Sequence, residues 1–463
     1  MNNAKSSAAP NGKQSALSSF ITWFSAWSVR WIPDSMVFVL ALTVIAFLAS
    51  WALTAHGPIQ LVDDWVKGFW ALLMFAMQMS ILMITGFAVA DSKPIKVAIQ
   101  KLVDWPQTVR GTALLFMAVS MVSWWIHWGA GMMLSMVMGR ELLVRKRGMG
   151  LHAPFFAAVS YSGIVLSNGP SQAAQLLVAT PGHFLEKLTG VIPLSVTTFA
   201  PHLLVTNLLL FVTLPFVLLA AMPGKETSVE ISSEVAAAME RSAREVESKK
   251  EYTPAERWDR SPVLIVIVSL AGLAWVGHFI YTKGLAKLDL NTLNFAFFML
   301  GLLLHRSPSS FVASVQRGTG TVYGVIIQFP MYAGIFGMIS YSGLSEIIGH
   351  WFVSISTQHT FPWIVYIYSG ILDMFVPSAG SKFVIEAPYL IPAAKELGTD
   401  IPSVINAYTY GSINFNLLQP FWALPILGTF KLRFQDILPY SFVTCMWAFV
   451  VISFGLLVLP LIF

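Results

Sequence analysis

"FVPSAGSKFVIEAPYLIP", residues 375–392, interrupts one of the most apolar regions of a very apolar chain. The segment before it, "FPWIVYIYSGILDM" at 361–374, reads as a membrane helix. Hydrophobicity then breaks at Pro377, Ser378, Ala379 and Gly380, and Lys382 and Glu386 follow, four residues apart. An ionised side chain at the bilayer centre costs roughly 2.5–3.5 kcal/mol on insertion scales. A helix that only crosses a membrane has no use for such a break or such charges.

Composition sets the class. Of 463 residues, 56% are hydrophobic and 11% charged, with a mean hydropathy of +0.68, well outside soluble-domain composition. A hydrocarbon core about 30 Å thick takes roughly 20 apolar residues per helix, and the chain supplies many such runs. The pattern predicts an all-α polytopic membrane protein. The single cysteine, Cys445, permits no internal disulfide and sits in an apolar run as a buried spectator. Residues 1–19 lack the apolar core and cleavage site of a signal peptide. "SSFITWFSAWSVRWIP" at 18–33 reads as an interfacial amphipathic helix. Basic cytoplasmic loops account for the net charge of +5, so no nucleic-acid partner is implied.

Crossings are expected near 35–55, 68–90, 153–178, 194–222, 263–281, 288–304, 319–339, 403–430 and 437–463. Two further apolar segments, 111–139 and 361–392, carry breaks at their middles, "HWGAG" at 127–131 and "VPSAG" at 376–380. Lys93, Lys96, Lys101 and Arg110 precede the first segment; Arg140, Arg145, Lys146 and Arg147 follow it. A single crossing puts one of these clusters outside, against the positive-inside tendency. A re-entrant hairpin leaves both in the cytoplasm. The N-terminus and the charged linker 223–262 then lie inside, and the Lys- and Arg-free stretch 341–360 and the C-terminus lie outside. The linker is expected to be a flexible tether with a solvent-exposed helix over 230–250, a regulatory docking element being the alternative.

The two halves align at nearly constant spacing. Gly68 meets Gly318, Gln78 meets Gln328, "WGAG" ending at Gly131 meets "PSAG" ending at Gly380, and Pro170 meets Pro420. The expected organisation is a tail with its interfacial helix (1–34), a first membrane repeat (35–222), the cytoplasmic linker (223–262), a connecting helix (263–282) and a second repeat (283–463). Each repeat has four crossings, a re-entrant hairpin and a discontinuous helix. The one unpaired crossing between them inverts the second repeat. Transporters of this design hold substrate near the bilayer midplane, where broken helices offer free ends. Irregular backbone survives there only when buried in protein or lining an aqueous cavity.

Four breaks are expected to converge: the two hairpin tips and the interruptions "LSNGPS" (166–171) and "INFNLLQP" (413–420). Pro170 and Pro420 free carbonyls one turn earlier. Free amides at half-helix N-termini attract an anion and free carbonyls a cation, which suits an anion–cation symporter; packing kinks are the plainer alternative. The substrate-site candidates are His127, Trp128, Gly129, Gly131, Ser167, Asn168, Gly169, Ser378, Gly380, Ser381, Lys382 and Asn416. Candidates for the coupling ion, Na⁺ or H⁺, are Asp373, Glu386, Asn168, Ser171 and Asn414. Lys382 has two readings: a structural ion pair with Glu386 or Asp373, or a group that holds a substrate carboxylate. His127 either donates or titrates at the tip, or is a satisfied structural histidine. Trp124, Trp125, Trp128, Phe421 and Trp422 could wall an aliphatic tail or simply pack. No zinc-protease, dinucleotide-binding, P-loop or Cys/His metal pattern is present, so neither an enzyme nor a bound metal or cofactor is expected. An intramembrane enzyme using Asp373, His127 or Glu386 is a remote alternative.

A set of longer segments carries a resemblance. "WIPDSMVFVLALT", "GFWALLMFAMQMSILMITGFAVA", "WGAG", "LVATPGH", "NTLNFAFFMLGLLLHRSP", "VIIQFPMYAGIFGMI", "VPSAG", "IPAAKELG" and "QPFWALPILG" together resemble the bacterial short-chain fatty acid transporter family, of the ion transporter superfamily. The likeness spans nearly the whole chain outside the tail and linker. It implies cation-coupled uptake of short monocarboxylates such as butyrate or acetoacetate, by an elevator-like shift, in a homodimer in the bacterial inner membrane. Another small organic anion, such as a C4 dicarboxylate, is the alternative cargo. The second tip departs from the glycine-rich, uncharged "PSGGG" kind that the resemblance leads one to expect, because "PSAGSK" carries Lys382.

Overall fold

The computed structural model describes Arg30 and residues 35–243, 252–320 and 322–462. The expected interfacial helix at 18–33 lies almost wholly outside these residues. Every regular element among the described residues is helical. In hydrocarbon a backbone N–H or C=O has no water to bond, and a helix satisfies each from within its own segment.

Besides the single-turn helix Glu186–Thr189, nine helices come first among the described residues: α1 Ser35–Leu53, α2 Pro58–Phe69, α3 Leu73–Asp91, α4 Lys93–Asp104, α5 Val109–Ile126, α6 Trp128–Arg145, α7 Ala153–Ser162, α8 Ala173–Ala179 and α9 Pro201–Ala221. After the linker stands α10, Val263–Lys283. Nine more then follow in the same order: α11 Leu290–His305, α12 Pro308–Thr319, α13 Tyr323–Tyr341, α14 Leu344–Ile355, α15 Phe361–Asp373, α16 Ala379–Leu397, α17 Ile401–Asn414, α18 Leu424–Phe430 and α19 Phe434–Leu457. Corresponding helices start at 73 and 323, 128 and 379, and 173 and 424, close to the spacing of the aligned residues.

Among the described residues seven helices are long and apolar enough to cross a bilayer: α1, α3, α5, α9, α10 with its lead-in, α13 and α19. Two expected crossings, 153–178 and 403–430, are broken where the proline interruptions fall, each through a turn of 3₁₀ helix, Gly163–Leu166 and Phe415–Leu418. The expected crossing at 288–304 is α11, with only 16 residues. α5 reaches crossing length at 18 residues, where the sequence pattern gives one arm of a hairpin. Its partner arm α6 packs directly against it.

The molecule is apolar outside and partly polar inside. Large side chains on α1 and α10, among them Ile45, Trp51, Leu264 and Ile267, are more than half exposed, which suits contact with acyl chains. Asn168, Gln175, Asn406, Asn414 and Lys382 are fully buried. The halves interlock through their third helices. α2 crosses α13, and α11 and α12 lie on α3. At the first crossing a Cβ on Gly337 would stand 2.2 Å from the Asp64 carbonyl and 2.8 Å from Gly68 Cα, so only glycine permits this approach.

The linker corrects the expectation of a free tether. Glu230 accepts hydrogen bonds from the Gly148 N–H at 2.9 Å and from the Gly150 N–H. The Ala153 N–H donates to the Val229 carbonyl, and the Val229 N–H donates to His152 Nδ1 at 2.9 Å. The helix Ser233–Ala243 follows and packs on α6, with Ile231, Ala236 and Met239 buried. Apolar residues hidden in a polar sequence dock this segment. Residues 244–251 lie outside the described residues.

The glycine crossing is directly testable. Gly337→Ala is expected to destabilise the protein by about 1–3 kcal/mol through overpacking. Gly277→Ala, with nothing within 4 Å of its added Cβ, should be neutral or stabilising by up to ~1 kcal/mol. Melting of the two purified variants beside wild type checks this; equal shifts would remove the crossing from the argument.

Candidate functional site

All four breaks line one cavity of about 130 Å³. Trp128 reaches it from the first tip; Pro377, Ser378, Ala379 and Gly380 come from the second. Ser167 and Gln172 come from the first interruption, and Asn416, Phe421 and Trp422 from the second. Trp124 of α5, Met79 and Met83 of α3, and Gln328, Phe329 and Tyr332 of α13 also line it.

Each tip is a helix restart with a side-chain cap. α5 stops at His127, whose extended backbone (φ −155°) lets α6 begin at Trp128, and His127 Nδ1 accepts from the Ala130 N–H at 3.2 Å. α16 restarts at Ala379, and Ser378 Oγ accepts from the Ser381 N–H. Such caps satisfy donors that a helix start leaves without partners. The first two N–H groups of α16, on Ala379 and Gly380, have no helical carbonyl to donate to.

The interruptions are held by glutamines one step past the broken turns. Gln172 Nε2 donates to the Ser167 carbonyl at 3.3 Å, and its Oε1 accepts from the Ala173 N–H at 2.7 Å. Gln419 Nε2 donates to Asn416 Oδ1, and its Oε1 accepts from the Phe421 N–H at 2.6 Å. Tips and interruptions are also tied together. The Trp128 N–H donates to Ser171 Oγ at 2.9 Å, and Trp422 Nε1 donates to the Pro377 carbonyl at 2.7 Å. The Trp128 and Trp422 rings meet edge to face, 5.6 Å apart.

Five of the expected substrate residues therefore line the cavity: Trp128, Ser167, Ser378, Gly380 and Asn416. The others stand elsewhere. His127 is buried against Phe297, with ring centroids 4.0 Å apart, and Gly129 and Gly131 are packing contacts of the hairpin. A Cβ on Gly131 would lie 2.4 Å from the Trp124 nitrogen. Gly169 presses on the Trp125 carbonyl, and Trp125 does not line the cavity. Asn168 Oδ1 accepts from Gln175 Nε2 at 2.6 Å, behind the wall.

Lys382 points away from the cavity, because its stem leaves α16 toward α15 and α17. Its Nζ donates to the Ser369 carbonyl and hydroxyl at 2.5 and 2.6 Å. It lies 3.5 Å from both Asp373 Oδ1 and Glu386 Oε1. Ser381 is buried one residue before it. Of the other ion candidates, Asn414 Nδ2 donates to Tyr366 Oη, and Ser171 holds the first tip. The sequence reading missed Gln172, Met79, Met83, Gln328, Phe329 and Tyr332. Gln328 gave one signal, as the repeat partner of Gln78.

Chemically, the cavity offers no charged side chain: no Asp, Glu, Lys, Arg or His lines it among the described residues. It offers a helix N-terminus, amide and hydroxyl groups, and aromatic and thioether walls. That set suits a small molecule with one polar end and one apolar end.

The profile of the family described as "Short chain fatty acid transporter" matches residues 15–459. A protein of Escherichia coli (strain K12) is 33% identical over 441 residues, 95% of this chain and 98% of its own. One from Haemophilus influenzae (strain Rd) is 31% identical over 443 residues, 94% and 97%. Both bear the name short-chain fatty acid transporter, given provisionally. Among solved structures, Neisseria gonorrhoeae MtrF, from a class of antimetabolite efflux pumps, superposes with a TM-score of 0.56 at 13% identity. The match covers 95% of this chain and 98% of that one; at such identity it speaks for the fold alone.

Because Cys445 is the single cysteine and is buried, added thiols report access cleanly. Ser378→Cys and Asn416→Cys are expected to react with a small water-soluble maleimide at least about tenfold faster than Ser412→Cys or Asn414→Cys, reactivity following exposure. Equal rates would show that the cavity is not the wet part of the site.

Proposed function

The chain belongs to the short-chain fatty acid transporter family, a family of membrane transporters and not of enzymes, and we propose that it carries small monocarboxylates such as butyrate and acetoacetate. In this reading the carboxylate meets the Ala379 and Gly380 N–H groups at the start of α16, where the helix dipole favours an anion. The short aliphatic tail lies among Trp128, Trp422, Phe421, Met79 and Met83. The carrying observation is that four chain breaks from two like-ordered halves close on a single uncharged cavity. Nothing there complements a second carboxylate, which favours a monocarboxylate over a C4 dicarboxylate.

Transport is secondary active and coupled to a monovalent cation, Na⁺ or H⁺. The single helix α10 between the two series reverses the second, giving inverted repeats with opposed re-entrant hairpins. Such a pair can present one site to either side of the bilayer by an elevator-type shift. Basic clusters argue for a cytoplasmic N-terminus and a periplasmic C-terminus in the bacterial inner membrane, in a homodimer.

Binding is the decisive test, since neutral short-chain acids leak through bilayers unaided. Butyrate and acetoacetate are expected to change the tryptophan fluorescence of the purified protein saturably, and succinate is not. Trp422→Phe, which loses the bond to Pro377, should weaken butyrate binding on the order of tenfold, ~1.4 kcal/mol. Folded wild-type protein that binds no monocarboxylate would sink the assignment.

A further inference from the structure

Behind the cavity, Asp373, Lys382 and Glu386 form a cluster with no solvent exposure at any of the three side chains. Two carboxylates face one ammonium. With both ionised the cluster carries one uncompensated negative charge in the driest part of the protein, which burial strongly disfavours. Lys382 spends its short hydrogen bonds on Ser369. All four carboxylate oxygens are left without a hydrogen-bond partner. The fully buried Ser412 hydroxyl lies against Asp373. The ammonium occupies the place between the two carboxylates where a coordinated metal cation would sit. A proton on one carboxyl would cancel the remaining charge and give the orphaned oxygens a donor.

We infer that Asp373 and Glu386 share one exchangeable proton beside Lys382, and that this proton is the coupling ion of the carrier. The second half rests on the carboxylate-carrier reading; the first does not. The cluster sits one to two turns along the helix whose N-terminus lines the cavity, since the Lys382 N–H donates to the Ser378 carbonyl. Tyr408 joins the two places: its ring stands 4.9 Å from Lys382 Nζ, and its hydroxyl donates to the Ala379 carbonyl at 2.7 Å. With the proton bound, the cluster is neutral and leaves the α16 N-terminus free to attract an anion. With the proton lost, a net negative charge repels that anion from the same helix. Protonation and anion binding thus favour each other.

Among the described residues no other charged side chain is paired with the cluster. The further titratable groups around the cluster are phenols: Tyr161 on α7, Tyr368 on α15, Tyr389 on α16 and Tyr408 on α17. Cys445 on α19 lies near Tyr366 and Tyr161. Of the remaining elements against α16, α13 carries only tyrosines and α8 none. Glu346 of α14 is exposed, while His350 of α14, paired with Glu396, and Glu186 and Lys187, in a helix that ends beside Lys395, lie toward the far end of α16.

The test uses the full chain purified in detergent. Infrared spectra at neutral pH are expected to show the carbonyl stretch of one protonated carboxyl group, shifted in deuterium oxide and lost on strong alkalinisation. The band should vanish in both Asp373→Asn and Glu386→Gln, because Lys382 then faces a single carboxylate and the cluster is neutral without a proton. Butyrate affinity of the wild type should fall by up to about tenfold per pH unit as the proton leaves, the slope of a one-proton linkage. It should not depend on Na⁺, and Asp373→Asn should bind with no such slope. Absence of the wild-type band overturns the proton site, whatever the variants do. The band together with pH-independent, Na⁺-dependent butyrate binding overturns the coupling. The band in a folded protein that binds no monocarboxylate supports the proton site and sinks the carrier reading instead.

Discussion

Backbone that leaves the helix inside a membrane must find hydrogen-bond partners within the protein, and the centre of this molecule is arranged around that requirement. At four places the chain abandons helical geometry, and at each a side chain replaces what the helix would have supplied. His127 and Ser378 cap restarted helices; Gln172 and Gln419 bridge the proline interruptions. Ser171 and Trp422 then bind tip to interruption. Because these repairs are mutual, the breaks cannot lie far apart. The cavity is the space that their joining encloses.

The same requirement explains why the cavity lining is uncharged among the described residues. An ion-lined pocket would need compensation that a largely apolar interior does not supply. Among the described residues the charged side chains with no exposure at all are Asp373, Lys382 and Glu386, packed behind α16 among phenols and serines. The cavity is left with helix ends, amides and aromatic faces, which are polar without carrying net charge. One helix thus presents its N-terminus to the cavity and its fourth and eighth residues, Lys382 and Glu386, to the buried cluster.

Much of this was legible in the pattern of residues. Apolar runs gave the helices, and the prolines and glycines at 127–131, 166–171, 376–380 and 413–420 located the breaks to within a residue or two. The alignment of Gly68 with Gly318 and of Pro170 with Pro420 anticipated two series of helices in one order. The linker was misread. Glu230 satisfies two glycine N–H groups, and its apolar neighbours are too few to register against a charged background.

The sequence by itself determined the membrane class, the two series and the positions of the breaks, because length, hydropathy and helix-breaking residues act locally along the chain. Only the tertiary structure decided which break residues face the cavity. Trp128 lines it, whereas His127 turns toward Phe297; Gly380 lines it, whereas Lys382, two residues on, turns toward Ser369. Neighbours on a helix point about 100° apart, so a shift of one or two positions moves a side chain from cavity to core. Which side receives the cavity is settled by packing against α3, α13, α15 and α17, distant segments that no local pattern names.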